Sequence, residues 1–264
     1  MRIIIKEIQS TRGILAYRCN QNSSTPALMF VHGLGGDSKL FHNQLRFFGQ
    51  KYHVMAVDLP GHGKSTWNSL PAVEDYAASI GDVLNNESVT DCILIGHSMG
   101  GAVCFDIYPE IKNSIRALVL ISTGAVLPVA KELFEMLERD VDFFIDYFVN
   151  ATFSQNAGLL ASFAKPSFGQ REKEIVRNDL KICQEMDYSQ VLKEIDVPVL
   201  IIANKGDRVV PTHITSFLQN RIKNSQYVEF NLEGHIPHFD HKEIFNNALK
   251  EFLVRVCPEQ VVLQ

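Results

Sequence analysis

The chain contains no apolar run long enough to cross a membrane. Its 264 residues are 46% hydrophobic, yet no stretch approaches the ~18 consecutive apolar residues of a membrane-spanning helix. The apolar stretch near the N-terminus is also too short for a signal peptide. We therefore expect a protein without a membrane span, located in the cytoplasm.

Cysteine is scarce and there is no excess of positive charge. The five cysteines are an odd number without closely spaced pairs, so the sequence predicts neither a disulfide framework nor a zinc site. The formal net charge of −5 gives no sign of a nucleic-acid partner. We predict no cofactor and no metal, and we interpret His32 and His62 as structural hydrogen-bonding residues. The oligomeric state is left open.

Strand-like and helix-like patterns alternate along most of the chain. This alternation predicts an α/β fold with a mostly parallel, doubly wound sheet covered by helices on both faces. The predicted strands are 3–8, 13–18, 27–31, 52–57, 92–95, 115–122, 197–202 and 226–230, and the main predicted helices are 37–48, 73–84, 212–221 and 242–256.

The alternation is interrupted after Gly124. From 127 to about 194 only helical patterns are found, and they contain many large rings: Phe134, Phe143, Phe144, Tyr147, Phe148, Phe153, Phe163, Phe168 and Tyr188. Ordinary helix packing accounts for several of them, but an aromatic helical insertion is also typical of a lid over a pocket. We predict a helical cap at 125–194, inserted into a core formed by 1–124 and 195–264.

Ser98 lies in the motif Gly96-His97-Ser98-Met99-Gly100, directly after an apolar strand pattern. A sharp strand-to-helix turn with a serine at its apex needs very small residues two positions before and after it, and both are glycine. The turn would place the hydroxyl at a helix N-terminus, where negative charge is favoured. We interpret it as a nucleophile elbow; the alternative is a serine that only caps the helix.

A serine nucleophile needs a base, and the base needs an orienting group. Asp207 and His235 each follow a predicted strand, so both lie at the sheet edge where Ser98 is predicted. The chain order Ser, Asp, His also fits such a site. The weaker alternatives are His238 for the base, and Asp196 or Asp240 for the acid.

Taken together, these motifs resemble the α/β-hydrolase superfamily over essentially the whole chain. The resemblance is carried by the elbow, the oxyanion-loop motif, the Asp-x-Pro-Gly-His-Gly-x-Ser loop and the acid and base loops, which lie at 96–101, 32–36, 58–65, 206–207 and 234–235.

The resemblance implies a carboxylesterase-like serine hydrolase. Ser98 would attack the substrate carbonyl, His235 would carry the proton and Asp207 would orient the imidazole. The backbone N–H groups of Leu34 and Met99 would form the oxyanion hole. Water activated by His235 would then release the acyl group.

Fold alone does not choose the substrate. The expected partner is a small-molecule ester or related acyl compound, and the uncharged-looking elbow and aromatic cap favour a small, hydrophobic carboxylic ester. Lactone and carbon–carbon bond hydrolysis remain alternatives, although His97 and Ile236 depart from the usual pattern of the carbon–carbon hydrolases. A small-molecule receptor that retains the triad is an alternative of another class. Arg139, Arg171 and Arg177 could hold a substrate carboxylate, but surface solvation is the favoured interpretation.

Overall fold

The structure is a computed structural model that describes residues 1–10, 13–154 and 169–258 of the chain. Phe163 and Phe168 of the predicted cap lie outside the described residues, and so does the side chain of Arg171.

Within the described residues, eight strands form one sheet in the order β1-β2-β4-β3-β5-β6-β7-β8. β2 pairs antiparallel with both β1 and β4, and every other neighbouring pair is parallel. The predicted mostly parallel sheet is therefore confirmed. The strands are β1 Ile4–Ser10, β2 Gly13–Cys19, β3 Ala27–Val31, β4 Val54–Val57, β5 Cys92–His97, β6 Ile115–Ile121, β7 Val199–Gly206 and β8 Ser225–Glu233.

Helices separate the strands of the parallel part, as the alternating pattern predicts. They are α1 His42–Phe48, α2 Val73–Asn86, α3 Met99–Ile111, α4 Lys131–Arg139, α5 Val141–Thr152, α6 Gln170–Glu185, α7 Thr212–Gln219, α8 Pro237–Asp240 and α9 Lys242–Val256, with short 3-10 turns at Ser38–Phe41, Lys112–Ser114 and Val191–Glu194. The last long helix matches its predicted bounds at both ends.

The central strands are buried on both faces, and this explains why they are nearly continuous apolar runs. Every residue of β3, β4 and β5 is buried. One apolar cluster lies on the side of α2, α3 and α7, and a second lies on the side of α1 and α9. All five cysteines are buried, and burial raises the pKa of the Cys19 thiol to about 11.

Several predicted boundaries differ from the structure by a few residues, and two of the differences have clear local reasons. Tyr52 does not start β4, because its N–H donates to the carbonyl of Phe48 and so closes the end of α1. β7 continues past its apolar run to Gly206, because the last residues still pair with β8. The predicted cap at Asp37 is confirmed, since its side chain accepts a hydrogen bond from the Lys39 N–H.

Helices α4, α5 and α6 lie between β6 and β7, in the segment 125–194 that we call the insertion. They share a small apolar cluster of their own, which includes Leu137, Phe144 and Leu180. Phe143 and Tyr147 are exposed instead. None of the helices in the described part of the chain combines the length and apolar character that crossing a membrane requires.

Candidate active site

Ser98 occupies a strained turn between β5 and α3. Its φ of 54° and ψ of −125° place a non-glycine residue at positive φ, a conformation that costs free energy and is concentrated at functional sites. Its side chain makes no capping hydrogen bond to α3. The interpretation of Ser98 as a helix-capping serine is therefore wrong.

Glycines allow this turn to pack closely. A Cβ added at Gly96 would lie 2.5 Å from the carbonyl oxygen of Gly100, and one added at Gly101 would lie 2.6 Å from the Thr123 side chain. A Cβ added at Gly33 would lie 2.9 Å from the Ser98 Cβ. The small residues therefore bring the loop after β3 against the serine.

His235 and Asp207 form a buried hydrogen-bonded pair. The Nδ1 atom of His235 lies 2.8 Å from Oδ2 of Asp207. The other carboxylate oxygen of Asp207 accepts hydrogen bonds from the N–H groups of Val209 and Val210, each at 2.9 Å. The carboxylate is thus held from both sides, which fixes the imidazole and leaves its Nε2 atom for other partners.

The loop that carries His235 is held by its backbone. The Nε2 atom of His97 lies 3.0 Å from the His235 carbonyl oxygen and donates to it, and the Asn204 amide donates to the Gly234 carbonyl at 2.7 Å. From the insertion, the carbonyl of Thr152 accepts the His235 N–H at 2.7 Å. These contacts of His97, Asn204 and Thr152 are not predictable from the sequence motifs.

The alternative acid and base candidates have other partners. His238 stacks on Phe41 with ring centroids 4.6 Å apart, and neither of its buried ring nitrogens has a partner among the described residues. Asp196 accepts a hydrogen bond from the Tyr108 hydroxyl at 2.8 Å. Asp240 accepts from the N–H and hydroxyl of Ser154. None of the three is paired as Asp207 and His235 are.

Ser98 lies at the same sheet edge as this pair. The His97 ring, adjacent to Ser98 in the chain, has its centroid 4.7 Å from that of His235. Among the described residues, no hydrogen bond joins the Ser98 hydroxyl to His235. Such bonds are often long in structures without substrate and shorten in the substrate complex.

The predicted oxyanion donors lie on the two segments that meet at Ser98, the start of α3 and the loop after β3. Met99 is the first residue of α3, where a backbone N–H has no acceptor within the helix. Leu34 follows Gly33, which packs against Ser98. Within the described ranges, neither N–H has a protein acceptor, so both amides can bind an anion.

A buried carboxylate that the sequence analysis missed lies beside the oxyanion loop. Asp179 of α6 is fully buried and accepts hydrogen bonds from the Gly35 N–H at 2.9 Å, His62 Nε2 at 2.9 Å and the Tyr76 hydroxyl at 2.6 Å. Its position four residues from both Ile175 and Cys183 puts it on the apolar face of the helix. An acidic residue on the apolar face of a predicted helix is the sequence signal that could have indicated a buried carboxylate.

His32 and His62 have structural hydrogen bonds, as predicted. His32 Nε2 accepts from the Leu59 N–H, so Nδ1 carries the proton and donates to the Gly33 carbonyl. Burial and the neighbouring His62 lower the pKa of His32. Burial also opposes charge on His62, but the Asp179 carboxylate outweighs it and raises the pKa of His62. The described residues hold no cluster of three metal-binding side chains.

Arg139 and Arg177 of the insertion do not converge on this site. Arg139 is exposed, and the Arg177 guanidinium lies 3.1 Å from the exposed Glu138 carboxylate. Surface solvation, the favoured interpretation for these two residues, agrees with both positions.

Comparisons with known proteins define the class. The sequence profile of the α/β hydrolase family matches residues 28–248. A protein of Mycoplasma pneumoniae (strain ATCC 29342 / M129 / Subtype 1), named provisionally as an esterase/lipase, is 25% identical over 240 residues, covering 85% of this chain and 88% of that protein. The pimeloyl-[acyl-carrier protein] methyl ester esterase of Legionella pneumophila (strain Lens) is 23% identical, with 86% and 94% covered. The solved structure of a thermophilic esterase superimposes with a TM-score of 0.85 at 26% identity, over 97% and 99% of the two chains.

The chain belongs to the α/β hydrolase family. The predicted resemblance, the α/β-hydrolase type of sheet and the prediction of a hydrolase enzyme are thereby confirmed. The cytoplasmic location stays a prediction.

Proposed function

We propose that the protein is a serine esterase that hydrolyses a small, hydrophobic carboxylic ester through an acyl-enzyme intermediate. The observation that carries the proposal is the buried 2.8 Å hydrogen bond between Asp207 and His235 at the sheet edge that also presents the strained Ser98. The ester-cleaving names of the related proteins agree with this choice of bond.

In the proposed reaction, the Ser98 oxygen attacks the ester carbonyl carbon while His235 Nε2 takes the hydroxyl proton. Asp207 accepts the Nδ1 proton in a hydrogen bond and stabilises the resulting imidazolium. The N–H groups of Leu34 and Met99 bind the oxygen that becomes negative. His235 then gives its proton to the leaving alcohol, and water completes the cycle by the same steps.

The insertion at 125–194 acts in this proposal as a cap over the substrate. Leu34 packs against the apolar cluster of the insertion, so one proposed oxyanion donor lies directly beneath it. The Phe153 ring at the end of α5 packs edge-on against Phe239, which follows the base loop, at 5.6 Å. Apolar side chains of this kind are suited to contact an apolar acyl group.

Turnover of short-chain nitrophenyl esters by wild type, Ser98→Ala and Ser122→Ala tests the proposal. Ser122 is a matched control because it is also a buried serine at positive φ at the end of a strand, and its hydroxyl has no partner among the described residues. We expect steady multiple turnover in wild type and Ser122→Ala and its loss in Ser98→Ala.

A fluorophosphonate probe followed by peptide mapping adds a direct measurement, and we expect labelling at Ser98 and not at Ser122. Unchanged turnover in Ser98→Ala would refute the proposal. A single stoichiometric burst without further turnover would instead indicate the receptor alternative.

A further inference from the structure

The Asp179 carboxylate is a charged group in a position that normally holds an apolar side chain. It is fully buried on a helix of the insertion, and the neighbouring residues of its helix face, Ile175 and Cys183, are also buried. A carboxylate without water is costly unless hydrogen bonds and an opposite charge compensate it. Since replacing a buried ion pair by apolar residues is often no less stable, stability alone does not account for such a group.

The three donors to Asp179 come from three separate parts of the core. Gly35 belongs to the loop after β3, His62 to the loop after β4 and Tyr76 to α2. His62 has an acceptor at each ring nitrogen, because Nδ1 lies 3.1 Å from the Pro60 carbonyl oxygen and Nε2 faces Asp179. Both nitrogens therefore donate, and the ring is the cation that compensates the buried carboxylate.

Gly35 is next to Leu34, whose N–H is a proposed oxyanion donor. The Gly33–Gly36 turn is closed by the Gly36 N–H and the Gly33 carbonyl at 3.1 Å. Gly33 packs against Ser98 at one end of this turn, and the Gly35 N–H binds Asp179 at the other. The peptide group that carries the Leu34 N–H is thus held on both sides.

We propose that Asp179 is a positioning residue for ester hydrolysis: by holding the Gly35 N–H from the insertion, it fixes the direction of the Leu34 N–H in the oxyanion hole. This inference rests on the proposed function. Asp179 does not touch substrate and acts through the loop. Preorganised donors are effective only while held in place, and small displacements reduce the rate strongly.

The test compares wild type, Asp179→Asn and Asp106→Asn with a short nitrophenyl ester. Asp106 is a matched control because it also accepts a tyrosine hydroxyl hydrogen bond between the core and the insertion, from Tyr188 at 2.8 Å, but lies on α3. Removing a whole oxyanion donor costs about 10²–10³-fold in kcat. For Asp179→Asn we expect a loss of about 10–100-fold in kcat with KM changed less than about threefold, and for Asp106→Asn no loss beyond about twofold.

A second readout separates positioning from a general structural role. A trifluoromethyl ketone binds serine hydrolases as a tetrahedral oxyanion, whereas the matching methyl ketone tests binding of the same shape. We expect Asp179→Asn to weaken the trifluoromethyl ketone in parallel with kcat and to leave the methyl ketone unchanged. Equal weakening of both ketones, a loss in KM alone, an unchanged kcat or an equal loss in Asp106→Asn would each overturn the inference.

If Asp179→Asn fails to fold, the hydrogen bond between the Gly35 N–H and Asp179 can still be tested in wild type. We expect the Gly35 amide to exchange slowly with deuterium although it lies in a loop, and fast exchange would overturn the inference. Ser98→Ala keeps the two proposals apart. Loss of turnover in Ser98→Ala with full kcat in Asp179→Asn contradicts only the role of Asp179, whereas full turnover in Ser98→Ala contradicts the proposed function.

Discussion

The insertion contacts the two sides of the candidate site in chemically different ways. On the oxyanion side, α6 places the Asp179 carboxylate against the charged ring of His62. On the base side, the end of α5 uses its backbone, with the Thr152 carbonyl accepting the His235 N–H and Ser154 donating to Asp240. The contact on the oxyanion side depends on a buried charged side chain. The contact at His235 depends on backbone groups of both segments.

His62 on the oxyanion side differs from the buried histidines of the base side in the direction of its pKa shift. On the base side, burial lowers the pKa of His97 well below its usual range and that of His238 to about 3, with nearby histidines adding to the effect. On the oxyanion side, Asp179 outweighs burial and raises the pKa of His62. At His62 a hydrogen-bonded carboxylate therefore outweighs burial, and His97 and His238 have no such partner among the described residues.

The largest expected effect is at Asp207, the acid that orients the base. Asp207→Asn keeps the shape of the acid but supplies an amide where the Nδ1–H needs an acceptor, which favours the wrong tautomer. We expect kcat for a nitrophenyl ester to fall on the order of 10³–10⁴-fold. Asp196→Asn is the control, because its carboxylate pairs with Tyr108 instead. A loss below tenfold would contradict the proposed role of Asp207.

A second prediction concerns the neutral histidines of the base side. Folded His238 takes up its proton only near pH 3, whereas the unfolded side chain does so near pH 6.5, so the free energy of unfolding falls as the pH drops between these values. From pH 8 to pH 5 this residue costs about 2 kcal/mol. We expect the free energy of unfolding of His238→Phe, measured with urea, to fall by about 2 kcal/mol less than that of wild type over this pH range. An equal pH dependence in both proteins would exclude His238 as its source.

Asp240→Ala tests the contact between the Asp240 side chain and Ser154, which joins the insertion to the base side. The N–H and hydroxyl of Ser154 lose their acceptor, and we expect the free energy of unfolding to fall by about 1 kcal/mol. Asp187→Ala is a matched control, because Asp187 also accepts a serine N–H, from Ser189, but at an exposed position. Equal effects in the two variants would show that the Ser154 contact adds nothing.

The opposite pH dependence is expected on the oxyanion side. Because the pKa of His62 is raised, its contribution is complete below the unfolded value near 6.5 and is lost as the pH rises through the folded value. Wild type should therefore lose its advantage over His62→Gln as the pH increases from 6 to 9 in urea unfolding. A difference that stays constant over this range would show that His62 is neutral.

The smallest effect is expected at the surface of the same helix. Lys173 and Arg177 of α6 contact the Glu138 carboxylate of α4 at 2.9 and 3.1 Å, but the Glu138 side chain is exposed. Since water and salt screen such pairs, we expect Glu138→Gln to leave the unfolding midpoint and kcat unchanged within error. A clear loss of activity would show that the orientation of α6 depends on this contact.

The sequence predicted those features that follow from local patterns. β3 was predicted at its observed bounds because a buried parallel strand is a short apolar run between chain breakers, and α9 because its apolar face repeats with the helical period. Ser98, Asp207 and His235 could be proposed because each follows a strand of one parallel sheet, and the carboxyl ends of such strands share an edge.

Asp179 could not be proposed as a partner of the oxyanion loop from such patterns. Its contacts join residues 144, 117 and 103 positions apart in the chain. The helical period marks its position as buried, but only the fold shows that Gly35, His62 and Tyr76 converge there. The neutral state of His97 and His238 could not be predicted from the sequence either, because it depends on the residues that surround each ring in the fold.

The buried cysteines have a practical consequence for studying the insertion. Desolvation keeps their thiols protonated, as the raised pKa values of Cys19 and Cys92 indicate, and a protonated, covered thiol reacts slowly with maleimides. A cysteine introduced at an exposed position such as Glu135 would be alkylated first. With a second exposed cysteine introduced on the core, paired dyes or spin labels could then follow the separation between α4 and the sheet during turnover, with all five native cysteines kept in place.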